Sequence, residues 1–220
     1  DPDAWRSLGL VVTDSGLVPL YGTSLHIVAP DGSAVPSGIT GWTLSGIPAH
    51  DSSIDGLSTA VAHAGTPVFA DHPLGAIGLD HVVVMTAQLD RTSAAIAEAT
   101  GCELKRIREV GTMRQGFHRI GSGGLIVELV ERPEVPDGPA AFWGIVINVD
   151  DLDVACELIG DDRISPPKDA VQPGRRIVGD EWTSLVDDRG ATATFTRPDD
   201  GAEVSIDATG GRQISDVLMD

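Results

Sequence analysis

Residues 79–90 read LDHVVVMTAQLD and residues 142–153 read FWGIVINVDDLD. Laid over one another, Val82-Val83-Val84 falls on Ile145-Val146-Ile147, and Leu89-Asp90 falls on Leu152-Asp153. Each copy is a short β-branched run of the kind that fills a buried strand. A polar helix start follows in each, at Thr86 in the first and at Asp150 and Asp151 in the second. Each helix-like segment then ends at a glycine, Gly101 or Gly160. After the first copy three more strand candidates follow, at 104–110, about 114–120 and 125–131. The chain therefore carries an internal repeat of strand–helix units of βαβββ type, which must bury a face against each other.

The second copy takes a strand at 143–149 and a helix at 151–159, followed by strands at 175–180 and 191–197. Ahead of the repeat, residues 1–76 form an N-terminal α+β segment. Short apolar runs at 8–12, 17–21 and 24–28 read as a meander, and ITGWTLSGI (39–47) reads as a strand. Leu57, Val61 and Ala64 give SIDGLSTAVAHAG (53–65) a helical spacing. Three strands followed by strand–helix is the same module with its halves exchanged, so this segment is either a permuted βαβββ module or an unrelated extension. Proline and glycine punctuation places the central module at 77–135 and the second at 140–198. Residues 199–220 form a tail that packs on the body, with Ile214, Val217 and Leu218 at helical spacing.

The repeat, together with LIVELVE (125–131) and WGIVINVDDLD (143–153), resembles the vicinal oxygen chelate superfamily of glyoxalase I, extradiol dioxygenases and bleomycin- or fosfomycin-resistance proteins. The resemblance covers roughly residues 77–198. It implies an α+β fold in which repeated βαβββ modules form curved, half-open barrel-like sheets around a cavity. It also implies a divalent metal, held by one residue from the first and one from the fourth strand of each module; Fe, Mn, Zn and Ni are not distinguished. His81 and Glu128 match the first module's ligands. Gly144 and Thr194 stand where the second module would offer its histidine and glutamate, so half of that ligand set is missing.

Alternation along a strand puts His81, Val83 and Met85 on one face, and Ile126, Glu128 and Val130 on one face. A glutamate between apolar neighbours is costly to bury without a partner. Glu128 is therefore a metal ligand or a catalytic base, or else it faces solvent or pairs with Arg114 or Arg119. If the N-terminal segment mirrors the module, His26 takes the place of Glu128 and becomes a third metal ligand; two histidines and a carboxylate suit a divalent transition metal. Arg114 with Gln115, and Arg176 among Lys168, Gln172 and Arg175, are candidates to bind a substrate's anionic group, since arginine forks match carboxylate and phosphate. Trp143 is a candidate to stack on a planar ligand.

The chain holds 33 Asp and Glu against 15 Lys and Arg, a formal charge of −18. Such a balance opposes binding to nucleic acid phosphate. No apolar run is long enough to span a bilayer. Cys102 and Cys156 match no metal spacing and read as free thiols in a reducing, cytoplasmic compartment. The expected partner is a small-molecule ligand, with no nucleic acid and no membrane. An odd number of modules leaves one sheet edge without a mate, which predicts a symmetric homodimer or coverage of that edge by residues 199–220. Two functions fit these residues: a metal-dependent lyase, isomerase or dioxygenase acting on a small organic molecule, or a metal-free protein that sequesters one.

Overall fold

The computed structural model describes residues 2–28, 38–48, 53–63, 68–120, 125–160, 163–170, 175–179, 183–187, 191–195 and 203–208. Helix α1 (Pro2–Ser7) leads into strands β1 (Leu17–Leu20), β2 (Thr23–Val28), β3 (Gly38–Ser45), β4 (Ser53–Ile54) and β5 (Leu57–Ala62). The first repeat unit is β6 (Ala76–Thr86), α2 (Leu89–Thr100), β7 (Leu104–Val110), β8 (Met113–Ile120) and β9 (Leu125–Glu131). The second is β10 (Ala141–Val149), α3 (Leu152–Ile159), β11 (Lys168–Asp169), β12 (Arg176–Gly179) and β13 (Thr183–Asp187). Strands β14 (Ala191–Phe195) and β15 (Glu203–Ala208) follow. The tail helix expected around Ile214, Val217 and Leu218, and Gln172, lie outside the described residues.

One sheet holds both repeat units in the order β11-β12-β13-β10-β6-β9-β8-β7, with β14 pairing off β13. Within each unit the first strand runs parallel to the last, β6 to β9 and β10 to β13. The two units meet where β6 and β10 pair antiparallel. That seam is reciprocal: His81 faces Val146, Gly144 faces Val83, and Val82 faces Ile145 on the local axis. Gly144 thus occupies the place of His81, as the repeat implies. The open curved sheet of βαβββ units is the expected fold class.

Two strand-level expectations are corrected. The fourth strand of the second unit is β13, not the 191–197 run. Glu128 pairs with Val83, and Ser184 pairs with the equivalent Val146, so Ser184 and not Thr194 holds the glutamate's place. Sequence reading missed β13 because it is short and closed by acidic residues. The helix expected over 53–65 is also absent: Ile54-Asp55-Gly56-Leu57 is a two-residue hairpin between β4 and β5. Asp55 and Gly56 both take positive φ, 47° and 96°, which is the backbone an Asp-Gly hairpin turn requires. Leu57 and Thr59 then point inward in strand alternation, overriding the weak helical spacing.

The N-terminal strands form a second sheet, β1-β2-β15-β3-β5-β4, in which β15 lies antiparallel to β2 and parallel to β3. One apolar core joins the two sheets, including Leu25, Trp42 and Leu57 on one side and Val82, Val84, Leu129 and Ile147 on the other. Trp42 is 2% exposed and packs edge-on against Phe142 with centroids 5.1 Å apart. Its indole N–H donates to Thr59 Oγ1 at 2.7 Å, so the buried polar atom is satisfied. Asp55 Oδ1 and Oδ2 take Arg91 at 3.1 and 3.2 Å, and Oδ2 takes Thr92 Oγ1 at 2.5 Å, tying the hairpin to α2.

A Cβ on Gly56 would lie 2.4 Å from Pro139 Cβ, and φ is in the left-handed region. Gly56→Ala is therefore expected to destabilise the fold by roughly 1–3 kcal/mol, through both backbone strain and overpacking. Urea unfolding should show a lower midpoint with an unchanged slope.

Candidate functional site

The face of the large sheet turned away from α2 carries the polar residues of interest. On β8 the pattern alternates: Gly116, His118 and Ile120 are buried toward the main core, while Met113, Gln115, Phe117 and Arg119 lie on the opposite face. Cross-strand pairing extends that second face to Glu128 and Val130 on β9, to His81, Val83 and Met85 on β6, and to Gly144 and Val146 on β10. Val83, Val130 and Val146 are buried there, with Met85 and Met113 packed on them. This is a small apolar cluster separate from the main core.

A β-bulge adds a residue that sequence alternation assigns to the wrong face. Val146 pairs with His81, but Ile147 pairs with Leu79, leaving Asp80 as the extra residue. The bulge turns Asp80 beside its own neighbour, and Asp80 Oδ2 sits 2.7 Å from His81 Nδ1. His81 Nε2 lies 3.1 Å from Glu128 Oε2, and Glu128 Oε1 accepts from the Gln115 amide. Arg108 Nη1 donates to Gln115 Oε1 at 3.1 Å. On the other side Arg175 Nη2 donates to Asp80 Oδ1 at 2.9 Å and to Asn148 Oδ1 at 3.1 Å. A continuous hydrogen-bonded row, Arg108–Gln115–Glu128–His81–Asp80–Arg175–Asn148, thus crosses five neighbouring strands.

Charge alternates along this row, and that sets its protonation. Burial alone would lower the pKa of His81, but hydrogen bonds and charge from Asp80 and Glu128 override it and raise it to about 9. Burial alone would raise that of Asp80, yet His81 and Arg175 hold it at about 2. At neutral pH His81 is therefore an imidazolium donating both N–H groups to carboxylates. Two further histidines behave oppositely. His72 (Nδ1 accepting from Val11 N, Nε2 against Pro19 O) and His118 (between Ser93 Oγ and Cys102 O) have pKa values lowered by burial, and act as neutral core residues.

Of the residues named from sequence, the structure brings His81, Glu128 and Gln115 together. His26 is exposed on β2 in the other sheet, with Nε2 3.2 Å from Ser15 O, and does not join them. Arg114 lies on the α2 side: it bridges Asp90 at 3.1 Å and Glu131 at 3.3 Å, while Glu131 accepts from Leu89 N at 2.6 Å and so caps α2. Arg176 pairs with Asp153 of α3 at 2.8 Å, and its neighbour Arg175 turns into the site instead. Trp143 is the extra residue of a second irregularity in the seam and is partly exposed. Sequence reading missed Asp80, which left one signal, an acidic residue inside an otherwise apolar strand. It grouped Arg175 with Arg176 as an anion binder but not as a partner of Asp80, because the two are 95 residues apart.

The residues do not fit a resident metal. His81 and Glu128 offer two donors where a catalytic metal takes three protein ligands. The equivalent places in the second unit hold Gly144 and Ser184, and among the described residues no three His, Cys, Asp or Glu side chains gather around one point.

No family model matches the chain, and no curated protein matches it. Among solved structures it is similar to methylmalonyl-CoA epimerase from Mycobacterium tuberculosis (14% identity, 61% of this chain and 90% of that one, TM-score 0.42). It is also similar to a variant of the Streptomyces coelicolor methylmalonyl-CoA epimerase (16%, 61% and 96%, 0.39) and to a 4-hydroxymandelate synthase mutant from the same organism (17%, 86% and 64%, 0.42). The paired βαβββ units joined along β6 and β10 form the α+β architecture of curved sheets that the sequence resemblance implies. No helix among the described residues is long and apolar enough to cross a membrane.

The pKa shifts fix a stability profile. His81, raised from 6.5 to about 9, contributes stability that is full below pH 6.5 and is lost as pH rises through 9. A shift of that size is worth on the order of 3 kcal/mol. Lowered His72 and His118 contribute above pH 6.5 and lose that contribution as pH falls below it, and Asp80 loses its own as pH falls from 3.8 through about 2. Urea unfolding across pH should therefore peak near neutrality and decline toward pH 9–10. In His81→Gln the alkaline decline should flatten, the fall below pH 6.5 from His72 and His118 should stay, and the Asp80 fall below pH 3.8 should shrink because His81 is one of its two partners.

Proposed function

We propose that this chain binds a small organic molecule on the His81–Glu128 face without a resident metal. The observation that supports this best is the second unit, where Gly144 and Ser184 stand at the places of His81 and Glu128, so the face offers two donors where a catalytic metal takes three protein ligands. The charges of Asp80, His81, Glu128 and Arg175 balance one another, so this part of the face needs no divalent cation to hold two carboxylates together. Beside it, the half-buried Met85, Met113 and Phe117, packed over or beside the buried Val83, Val130 and Val146, offer the apolar surface that small-ligand sites use for most of their contact area. Glu128 and Gln115 supply polar groups that orient a ligand. Catalysis at Glu128, a divalent metal and a homodimer have no comparable support, and the proposal uses none of them.

Glu128→Gln separates this reading from the metal-dependent one. Protein purified without chelator should carry only trace metal, and Zn2+, Mn2+, Ni2+ or Fe2+ should leave its melting temperature unmoved, in wild type and variant alike. The variant should fold cooperatively but lose about 1–3 kcal/mol, because the His81 imidazolium loses one of its two acceptors. The His81 titration, followed by NMR, should move down from about 9 toward the ordinary histidine range. Stoichiometric metal in the wild type, lost in Glu128→Gln, would overturn the proposal.

A further inference from the structure

The ligand face is positively charged in a chain that is strongly negative. On β7, β8 and β9 that face carries Arg106, Arg108 and Arg119, as their pairing with Phe117, Gln115 and Ile126 requires. One carboxylate, Glu128, shares these strands' face, and His81 already balances it. The acidic residues of the same strands, Glu109 and Glu131, pair with Arg114 in register and lie on the α2 side. In a chain with 33 acidic and 15 basic residues, three arginines segregated on one side of three strands is the reverse of the overall balance. Arg106 is exposed, Arg108 is half-buried, and among the described residues neither is held in an ion pair. Between them and the valine cluster lie Phe117 and Gln115.

Resting on the reading of this face as a small-molecule site, we infer that its ligand is an organic anion. Its carboxylate or phosphate group meets Arg106 and Arg108 at the β7 edge, and its apolar body lies over Phe117 toward Met113 and Met85. Guanidinium forks bind such groups by paired, charge-assisted hydrogen bonds. The −18 charge of the whole chain repels anions elsewhere on the surface, so the patch gains selectivity as well as affinity. The register moves anion recognition away from Arg114 and Arg176, whose guanidinium groups are occupied by Asp90, Glu131 and Asp153.

The test uses two dyes with nearly the same apolar body, the anion 8-anilinonaphthalene-1-sulfonate and the uncharged N-phenyl-1-naphthylamine, at low salt. Wild type should bind both, and Arg106→Gln/Arg108→Gln should weaken the sulfonate by about tenfold or more while leaving the uncharged dye unaffected. Near-UV circular dichroism shows that the double variant is folded. A control with the same charge change elsewhere, Arg6→Gln/Arg132→Gln, should bind both dyes like wild type. Competition names the anion: displacement of the sulfonate by benzoate assigns a carboxylate, displacement by phenyl phosphate assigns a phosphate, and benzyl alcohol should displace neither dye well. Unchanged sulfonate binding in the double variant, an equal loss in the control, or equal displacement by benzyl alcohol would each overturn the inference. In those cases binding of the uncharged dye leaves the small-molecule reading standing. Failure of wild type to bind either dye would remove that reading and the inference with it.

Discussion

The antiparallel seam between β6 and β10 is the contact on which the rest of the molecule depends. It makes one sheet from two βαβββ units and fixes which side chains share a face. A slip of one residue along it would carry His81 into the main core and Val82 out of it. The seam also holds the bulge at Asp80, and without that extra residue the carboxylate would point away from His81. The site's polar row is thus a consequence of a backbone irregularity in the central pair of strands.

Charge then does at this site what a metal does in the resemblance. Two carboxylates, Asp80 and Glu128, come close together on a half-buried face, an arrangement that is costly unless something cationic lies between or beside them. His81 lies between them, and Arg175 lies beside Asp80. Gln115 and Arg108 extend the row toward the exposed edge, so each member between Arg108 and Asn148 has a donor or acceptor on both sides. Glu128 thus has its partners in His81 and Gln115, while Arg114, one of the partners expected from sequence, pairs with Asp90 and Glu131.

Around the seam, the N-terminal sheet acts as a second layer on the helical side. Trp42 against Phe142 and Asp55 against Arg91 and Thr92 join it to the first strands and first helix of the repeat. Its own completion depends on β15, drawn from beyond the second unit and inserted between β2 and β3. Strands β1, β2 and β15 therefore share one layer, on the opposite side of the large sheet from the His81–Glu128 face.

The sequence by itself determined the repeat, the identity of the two inner strands and which neighbours share a face with His81 and with Glu128, each from local periodicity: short β-branched runs, helix starts a few residues later, and one glutamate inside an apolar strand. That His81 and Glu128 meet was implied by the resemblance, which matches them to the ligand positions of one module. Tertiary structure alone decided the partners. Asp80 joined the site through a bulge, which breaks the alternation that sequence reading assumes, and Arg175 rather than Arg176 joined it through a contact 95 residues away. The hairpin at Asp55-Gly56 replaced a helix because turn geometry outweighed a weak apolar spacing. Ser184 displaced Thr194, and β15 entered the N-terminal sheet, because strand pairing is non-local and leaves no mark on the residues between.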